Sequence, residues 1–289
     1  MALVLADRFE ELIRRASTML PPDVERKLRE AADAEGDTPA GATLRQMLDN
    51  ANQAKAGSTP ICQDTGTPIF YVDYGPDYRQ KQIADAVKAA AAAATARYYL
   101  RPNAVHPITG KNSGNNVGDG FPYIHFHERE DPGLKVRLML KGGGYENVGA
   151  QYRLPDSKLK AGRDLDGIRR CVIDAVFQAQ GKGCAPGALG IGVGGDRGSS
   201  FVESKEQLFR PLDDKNQDPA LASLEERLYK ELNELGIGPM GFGGKTTVLG
   251  VKIGLRHRVP ASYFVAVSYV CWAYRRASMT VKGEEVTYA

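Results

Sequence analysis

Helix-like and strand-like segments interleave along this chain without a regular strand–helix period, and that irregularity constrains the fold more than any other feature. A doubly wound parallel sheet needs the two to alternate, so a mixed α+β architecture is expected instead. Residues 7–55 carry a helical pattern in three pieces, broken at Pro21-Pro22 and again over 36–41, with Asp23 placed as an N-cap. The expectation is a helical N-terminal lobe over 1–57 and a mixed α/β region over 58–289, together one continuous domain. Loop 58–68 leads into the strand-like run 69–74. Residues 80–100 form an alanine-rich helix pattern in which Ala89 to Ala94 suit close packing. The polar connection 101–120 is unusually long for a compact domain, and such segments are usually functional or disordered. Strands are expected at 123–127, 134–140, 188–193, 246–253 and 262–269. Helices are expected at 164–179, 204–209 and 221–235, the first with Leu165, Ile168, Val172, Ala175, Val176 and Ala179 on one face.

Composition removes several classes of function. With 42% hydrophobic and 25% charged residues in 289, the chain has the balance of a soluble globular protein. Net charge is +3, and no window gathers the basic stripe that phosphate backbones require, so no nucleic-acid partner is expected. Asp7, Glu10 and Glu11 interrupt the N-terminal segment before it reaches signal-peptide length and also oppose a transit peptide. A cytoplasmic protein with no membrane partner is the expectation.

Several motifs invite a site. Gly190-Ile191-Gly192-Val193-Gly194-Gly195 satisfies a dinucleotide-binding string, but it lies inside a strand pattern rather than between a strand and a helix. Gly244-Lys245-Thr246 resembles a P-loop, yet Pro239 stands where that motif needs glycine. His125 and His127 would share one strand face, which suits either a metal pair or, as the favoured reading, a polar sheet face. The four cysteines, Cys62, Cys171, Cys184 and Cys271, include no CxxC, which excludes a zinc ribbon or a ferredoxin-type run. Cys171 falls near the apolar stripe of a helix and reads as a buried inert thiol. The other three sit in loops or at a strand end, where backbone N–H groups can reach a sulfur. By spacing alone they are either three unrelated thiols or ligands that converge in the fold.

Six ordered motifs settle the family resemblance. They are Cys62-Gln63-Asp64-Thr65-Gly66, Leu100-Arg101-Pro102-Asn103-Ala104-Val105, and Lys141-Gly142-Gly143-Gly144 with Glu146-Asn147. The Gly183-Cys184 frame follows, then Gly236-Ile237-Gly238-Pro239 with Gly243-Gly244-Lys245-Thr246-Thr247, and finally Pro260-Ala261-Ser262 to Cys271-Trp272-Ala273. The chain resembles the alpha subunit, or N-terminal domain, of the class I iron-sulfur fumarases, whose relatives include L-tartrate dehydratase. The match covers about residues 12–288.

The resemblance implies a 4Fe-4S cluster held by Cys62, Cys184 and Cys271, with one iron left open for Lewis-acid chemistry on fumarate or malate. It implies that Arg101 clamps a substrate carboxylate, that Gln63 and Asp64 lie near the substrate, and that Asp64 orients or relays a proton. Gly144 would allow close backbone approach. His257 matches a substrate-side histidine, with the departure that Val259 stands directly before Pro260. From the residues themselves, Arg101 could instead cap the alanine-rich helix and Asp64 could bond its own loop, readings less favoured than the functional ones. Alternatives in function are an L-tartrate dehydratase alpha subunit and a non-catalytic cluster-binding protein; retention of Asp64 and Arg101 beside the cysteines opposes the second. Too little sequence follows Cys271 for another domain of about 50 residues. A separate beta subunit, within a higher hetero-oligomer, is therefore expected to complete the site, unless the chain is truncated.

Overall fold

The computed structural model describes residues 2–289. Its elements run α1 (Ala2–Thr18), α2 (Pro22–Glu35), α3 (Pro39–Gly57), β1 (Thr67–Tyr74), α4 (Gln80–Ala96), β2 (Tyr123–Glu128), β3 (Leu134–Lys141), α5 (Gly143–Glu146) and β4 (Ala150–Arg153). They continue with α6 (Leu165–Ala179), β5 (Gly187–Gly194), α7 (Arg197–Gln207), α8 (Pro219–Glu234), β6 (Val248–Arg256), β7 (Phe264–Val270), β8 (Arg276–Lys282) and β9 (Glu285–Tyr288). The class is α+β, as expected. No helix among the described residues is long and apolar enough to cross a membrane. The chain divides into two compact units, the first made of Met1–Pro21, Asp49–Gly143 and Arg275–Ala289, the second of Pro22–Leu48 and Gly144–Tyr274. The three helices expected over 1–57 are present, but α1 belongs to the first unit and α2 to the second, while α3 contributes to both.

The first unit is built on a five-stranded sheet in the order β2-β1-β3-β8-β9, in which β1 pairs parallel with β2 and antiparallel with β3. Alternation sends Phe70 and Val72 of β1, Val136 and Leu138 of β3, and Met279 and Val281 of β8 to one face, where α1 and α4 cover them. The alanines of α4 explain how two helices share that face: Ala86, Ala90 and Ala94 are buried and let α1 approach closely. Phe9 of α1 meets Phe70 edge-on at 5.9 Å, and each such fully buried side chain contributes about 1.5–3 kcal/mol. The opposite face carries buried Ile69 and Met139 and, around Tyr71, a group of polar side chains. His125 stacks on Tyr71 at 4.5 Å, the Arg137 guanidinium lies over the same ring at 5.5 Å, and His127 Nδ1 is 3.2 Å from Asp73 Oδ1. The two histidines here contact Tyr71 and Asp73 of the neighbouring strand β1.

The second unit holds a four-stranded sheet in the order β4-β7-β5-β6, with β5 parallel to β6 and antiparallel to β7. The glycines of β5 let α7 lie against the strand. A Cβ at Gly190 would fall 1.9 Å from the Ser204 carbonyl oxygen, and one at Gly192 2.1 Å from that of Ser200. Helix α7 begins at Arg197, earlier than the expected 204–209, so the glycine string does precede a helix. Its N-terminus is already satisfied: Asp196 Oδ1 accepts the Ser199 N–H at 2.6 Å in a capping box. Those hydrogen bonds hold the Asp196 carboxyl below its ordinary range. The Gly244-Lys245-Thr246 string is structural too. Lys245 Nζ donates to the Ala34 carbonyl at 2.9 Å, and the Lys245 and Thr246 N–H groups donate to buried Glu35 Oε1 at 2.5 and 2.9 Å. Asp23 does not cap α2. It lies in the first turn, after Pro22, and its carboxylate accepts the Leu212 N–H at 2.8 Å.

Candidate functional site

In the first unit the segment preceding β1 is pinned at its base, where the Ile61 N–H donates to the Ser17 carbonyl at 3.0 Å and Asn50 Nδ2 donates to the Ile61 carbonyl at 2.8 Å. Cys62 follows half-buried, Gln63 is exposed, and Asp64 is half-buried. The Gly66 N–H donates to Asp64 Oδ1 at 3.1 Å, a local turn that fixes the aspartate. Gly66 itself has φ +79°, and a Cβ there would meet the backbone of Leu140 and Lys141 at 2.8 Å, so no other residue fits. Thr65 is the clamp. Its buried Oγ1 accepts the Arg101 N–H at 3.0 Å and Asn103 Nδ2 at 3.1 Å, and Asn103 Nδ2 also reaches the Gly66 carbonyl.

Buried Asn116 holds this connection from behind. Its Oδ1 accepts the Asn103 N–H at 2.7 Å, while Nδ2 donates to the Arg101 carbonyl and to Thr95 Oγ1 of α4, both at 2.8 Å. Arg101 is therefore no helix cap; α4 ends at Ala96 with Arg97 in that role. Its guanidinium is exposed and reaches back to the Gln63 carbonyl at 3.5 Å. Thr65 and Asn103 stand in the quoted motifs without a role, and Asn116 lies in the polar connection 101–120 with none assigned. Asn116 adopts φ +58°, the left-handed region that asparagine tolerates, and the Gly/Asn-rich run around it is the sequence signal for such a turn.

In the second unit Cys184 has φ +55° and ψ +59°, directly after the 3₁₀ turn Gln180–Gly183. The Trp272 N–H donates to the Cys184 carbonyl at 3.2 Å, which ties its loop to the residue after buried Cys271 at the end of β7. Both cysteines lie near enough to Tyr269 to act on its phenol, which burial above all pushes well above its ordinary range. Gly144 is exposed in α5, with open space where a Cβ would be. His257 is placed elsewhere. It follows Arg256, which pairs with Gly194 at the far end of β5, whereas Cys184 precedes β5 and Cys271 follows Val270, which pairs with Ala188. The eight residues of β5 separate the two ends by about 25 Å. Exposed His257 instead lines a recess of about 440 Å³ with Arg256, Arg258, Pro260 and Tyr263, so the structure does not bring it to the thiols.

None of the four cysteines is in a disulfide. Cys171 is buried on α6, and burial, followed by the charges of Asp156 and Asp174, pushes its thiol up to about 12, which disfavours the thiolate a metal needs. Cys62, Cys184 and Cys271 sit in loops or at a strand end, and three thiols are a donor chemistry that suits iron-sulfur ligation with one iron open. Among the described residues no group of three or more histidine, cysteine, aspartate or glutamate side chains is arranged to hold a single metal ion.

Residues 6–280 match the fumarate hydratase (Fumerase) family. A protein of Geobacillus stearothermophilus named for class I fumarate hydratase is 47% identical over 281 residues, covering 96% of this chain; the chain spans 55% of that relative's length. A protein of Methanocaldococcus jannaschii named for the L(+)-tartrate dehydratase alpha subunit is 35% identical, over 96% of this chain and 98% of its own. The L(+)-tartrate dehydratase subunit alpha of Escherichia coli K12 is 32% identical, over 93% of this chain and 88% of its own.

Proposed function

The chain belongs to the fumarate hydratase family, and from that premise we propose that it is a hydro-lyase subunit that interconverts fumarate and L-malate. The observation that carries this reading is the Thr65 clamp. It ties the Cys62–Gly66 loop, which carries a thiol and a carboxylate, to the guanidinium-bearing Arg101, distant from it in sequence.

In this reading Cys62, Cys184 and Cys271 hold a 4Fe-4S cluster, which when bound supplies a Lewis-acidic iron with no protein ligand. The chain's own groups do the rest. Arg101 offers forked donors to one substrate carboxylate, and its exposed head is free of helix-capping duty. Gln63 lies beside it as a polar contact for the same dicarboxylate. Asp64 is held by the Gly66 N–H, and an oriented carboxylate suits taking up or returning the proton at the substrate carbon. Gly144 lets substrate approach the backbone. His257 is left out of this constellation.

A second subunit or domain completes the site in this proposal. The supporting fact is that two relatives aligned over nearly their whole length are named as alpha subunits, while the Geobacillus relative is much longer than this chain. The same relatives support tartrate as the second candidate substrate. Anaerobic reconstitution with iron and sulfide, followed by assays on fumarate and on L-tartrate with and without the second subunit, tests all three points. Fumarate hydration that rises on adding the second subunit is the expected result; dehydration of tartrate alone would reassign the substrate, and equal rates with and without the subunit would remove the partner.

A further inference from the structure

The loop bearing Cys184 is moulded around one aromatic ring. Tyr269 of β7 is 2% exposed, and the loop passes over its ring through two glycines. A Cβ at Gly183 would lie 2.5 Å from the Tyr269 ring carbon Cε1, and one at Gly187 would lie 2.3 Å from Cζ. Neither contact is possible for a real side chain, so both glycines exist here as room for the ring. Cys184 lies between them. Cys271 directly follows that strand, two residues beyond Tyr269, the spacing that puts two side chains on one side where the backbone stays extended. Pairing of Leu189 with Tyr269 and of Ala188 with Val270 fixes the ring's height along β5, and the Trp272 N–H to Cys184 carbonyl bond closes the arrangement at 3.2 Å.

We propose that the Tyr269 ring is a positioning residue: a rigid spacer that sets the separation of the Cys184 and Cys271 sulfurs before any metal arrives. Resting on the reading of both as cluster ligands, this adds a residue that touches neither substrate nor iron but decides whether the two thiols are prepaid in geometry. A template of this kind matters because a loop in the left-handed conformation, as at Cys184, has no helix or strand to hold it.

The test uses the cluster-free full chain and dibromobimane, a short reagent that becomes fluorescent when it bridges two nearby thiols, with the bridged peptides identified by mass spectrometry. Wild type and Tyr269→Phe, which keeps the ring, are expected to bridge Cys184 to Cys271 at the same rate. Tyr269→Leu is expected to bridge them roughly tenfold more slowly or worse, the scale of a small misplacement. Circular dichroism establishes which variants fold; if Tyr269→Leu does not, Gly183→Ala, whose added methyl displaces the ring, is expected to show the same loss. Unchanged bridging in whichever of these two variants folds overturns the proposal, as does a Tyr269→Phe rate as low as that of Tyr269→Leu, since the hydroxyl rather than the ring would then be responsible. Iron and sulfide uptake on reconstitution is measured alongside. If wild type bridges as expected yet takes up no cluster, the cluster reading fails while the spacer stands.

Discussion

Four thiols in one chain have different surroundings, and the differences carry consequences. Replacing Cys62, Cys184 or Cys271 by serine is expected to prevent assembly of an intact cluster, whereas Cys171→Ser should retain wild-type iron and sulfide content; loss confined to the Cys171 variant would reverse the assignment. Cys171 should act on stability instead. Its folded-state thiol is pushed up to about 12 from an ordinary 9.0, first by burial and then by Asp156 and Asp174. Below pH 9 both states hold the proton and the contribution is complete; above it the unfolded chain releases a proton that the folded chain keeps, so stability falls between about pH 9 and 12. Urea midpoints over that range should fall less steeply in Cys171→Ala, and an identical slope would show that the thiol is not shielded. At the proposed site, Asp64→Asn should lower kcat by about 10²–10⁴ with an intact cluster, the usual scale for a lost acid–base group. The cysteines' contrast was legible because an apolar stripe at helical spacing marks Cys171. The placement of His257 was not legible, because position along a strand depends on register, and only the pairing of Gly194 with Arg256 shows that it follows the end of β6 opposite Cys184.

Among the elements, the long periodic helices and the apolar strands were readable, and the exceptions have identifiable causes. Helix α7 starts at Arg197 rather than near Ser204 because its first turn, Gly198-Ser199-Ser200, has poor helix propensity and is carried by the Asp196 capping box. Strands β4 and β9 are short, β8 is polar on one side, and all three exist because a neighbouring strand offers them a ladder. The lysine–threonine string shows how one carboxylate can replace a ligand. Glu35, buried at 4% exposure, receives two backbone N–H groups from a glycine-bounded turn, and such charge-assisted bonds contribute about 1.5–3 kcal/mol. Glu35→Ala should therefore destabilise the chain by about 2–3 kcal/mol in denaturant unfolding. Lys245→Ala should leave reconstituted activity unchanged and reveal no nucleotide affinity to lose, since its amine is held by the Ala34 carbonyl. A change of less than half a kcal/mol for Glu35→Ala would mean that the turn does not depend on it.

For the molecule as a whole, the sequence shows mixed helix and strand but conceals that each compact unit is assembled from separated stretches. The first gathers residues 49–143 with both chain ends, so the C-terminal strands β8 and β9 join the sheet that β1 begins. No local pattern predicts that return, because it depends on pairing of β3 with β8 across more than a hundred residues. The family resemblance succeeded where periodicity could not, since ordered motifs report residues kept together by the fold. What remains central is whether the three cysteines hold a cluster with an open iron that the chemistry uses. Electron paramagnetic resonance on the anaerobically reconstituted protein, with the proposed second subunit present, tests this as air is admitted and hydration of fumarate is followed in parallel. The account predicts a three-iron signal that grows in step with loss of activity, with about one iron released per cluster. Full activity after prolonged aeration, or activity without any uptake of iron and sulfide, would contradict it.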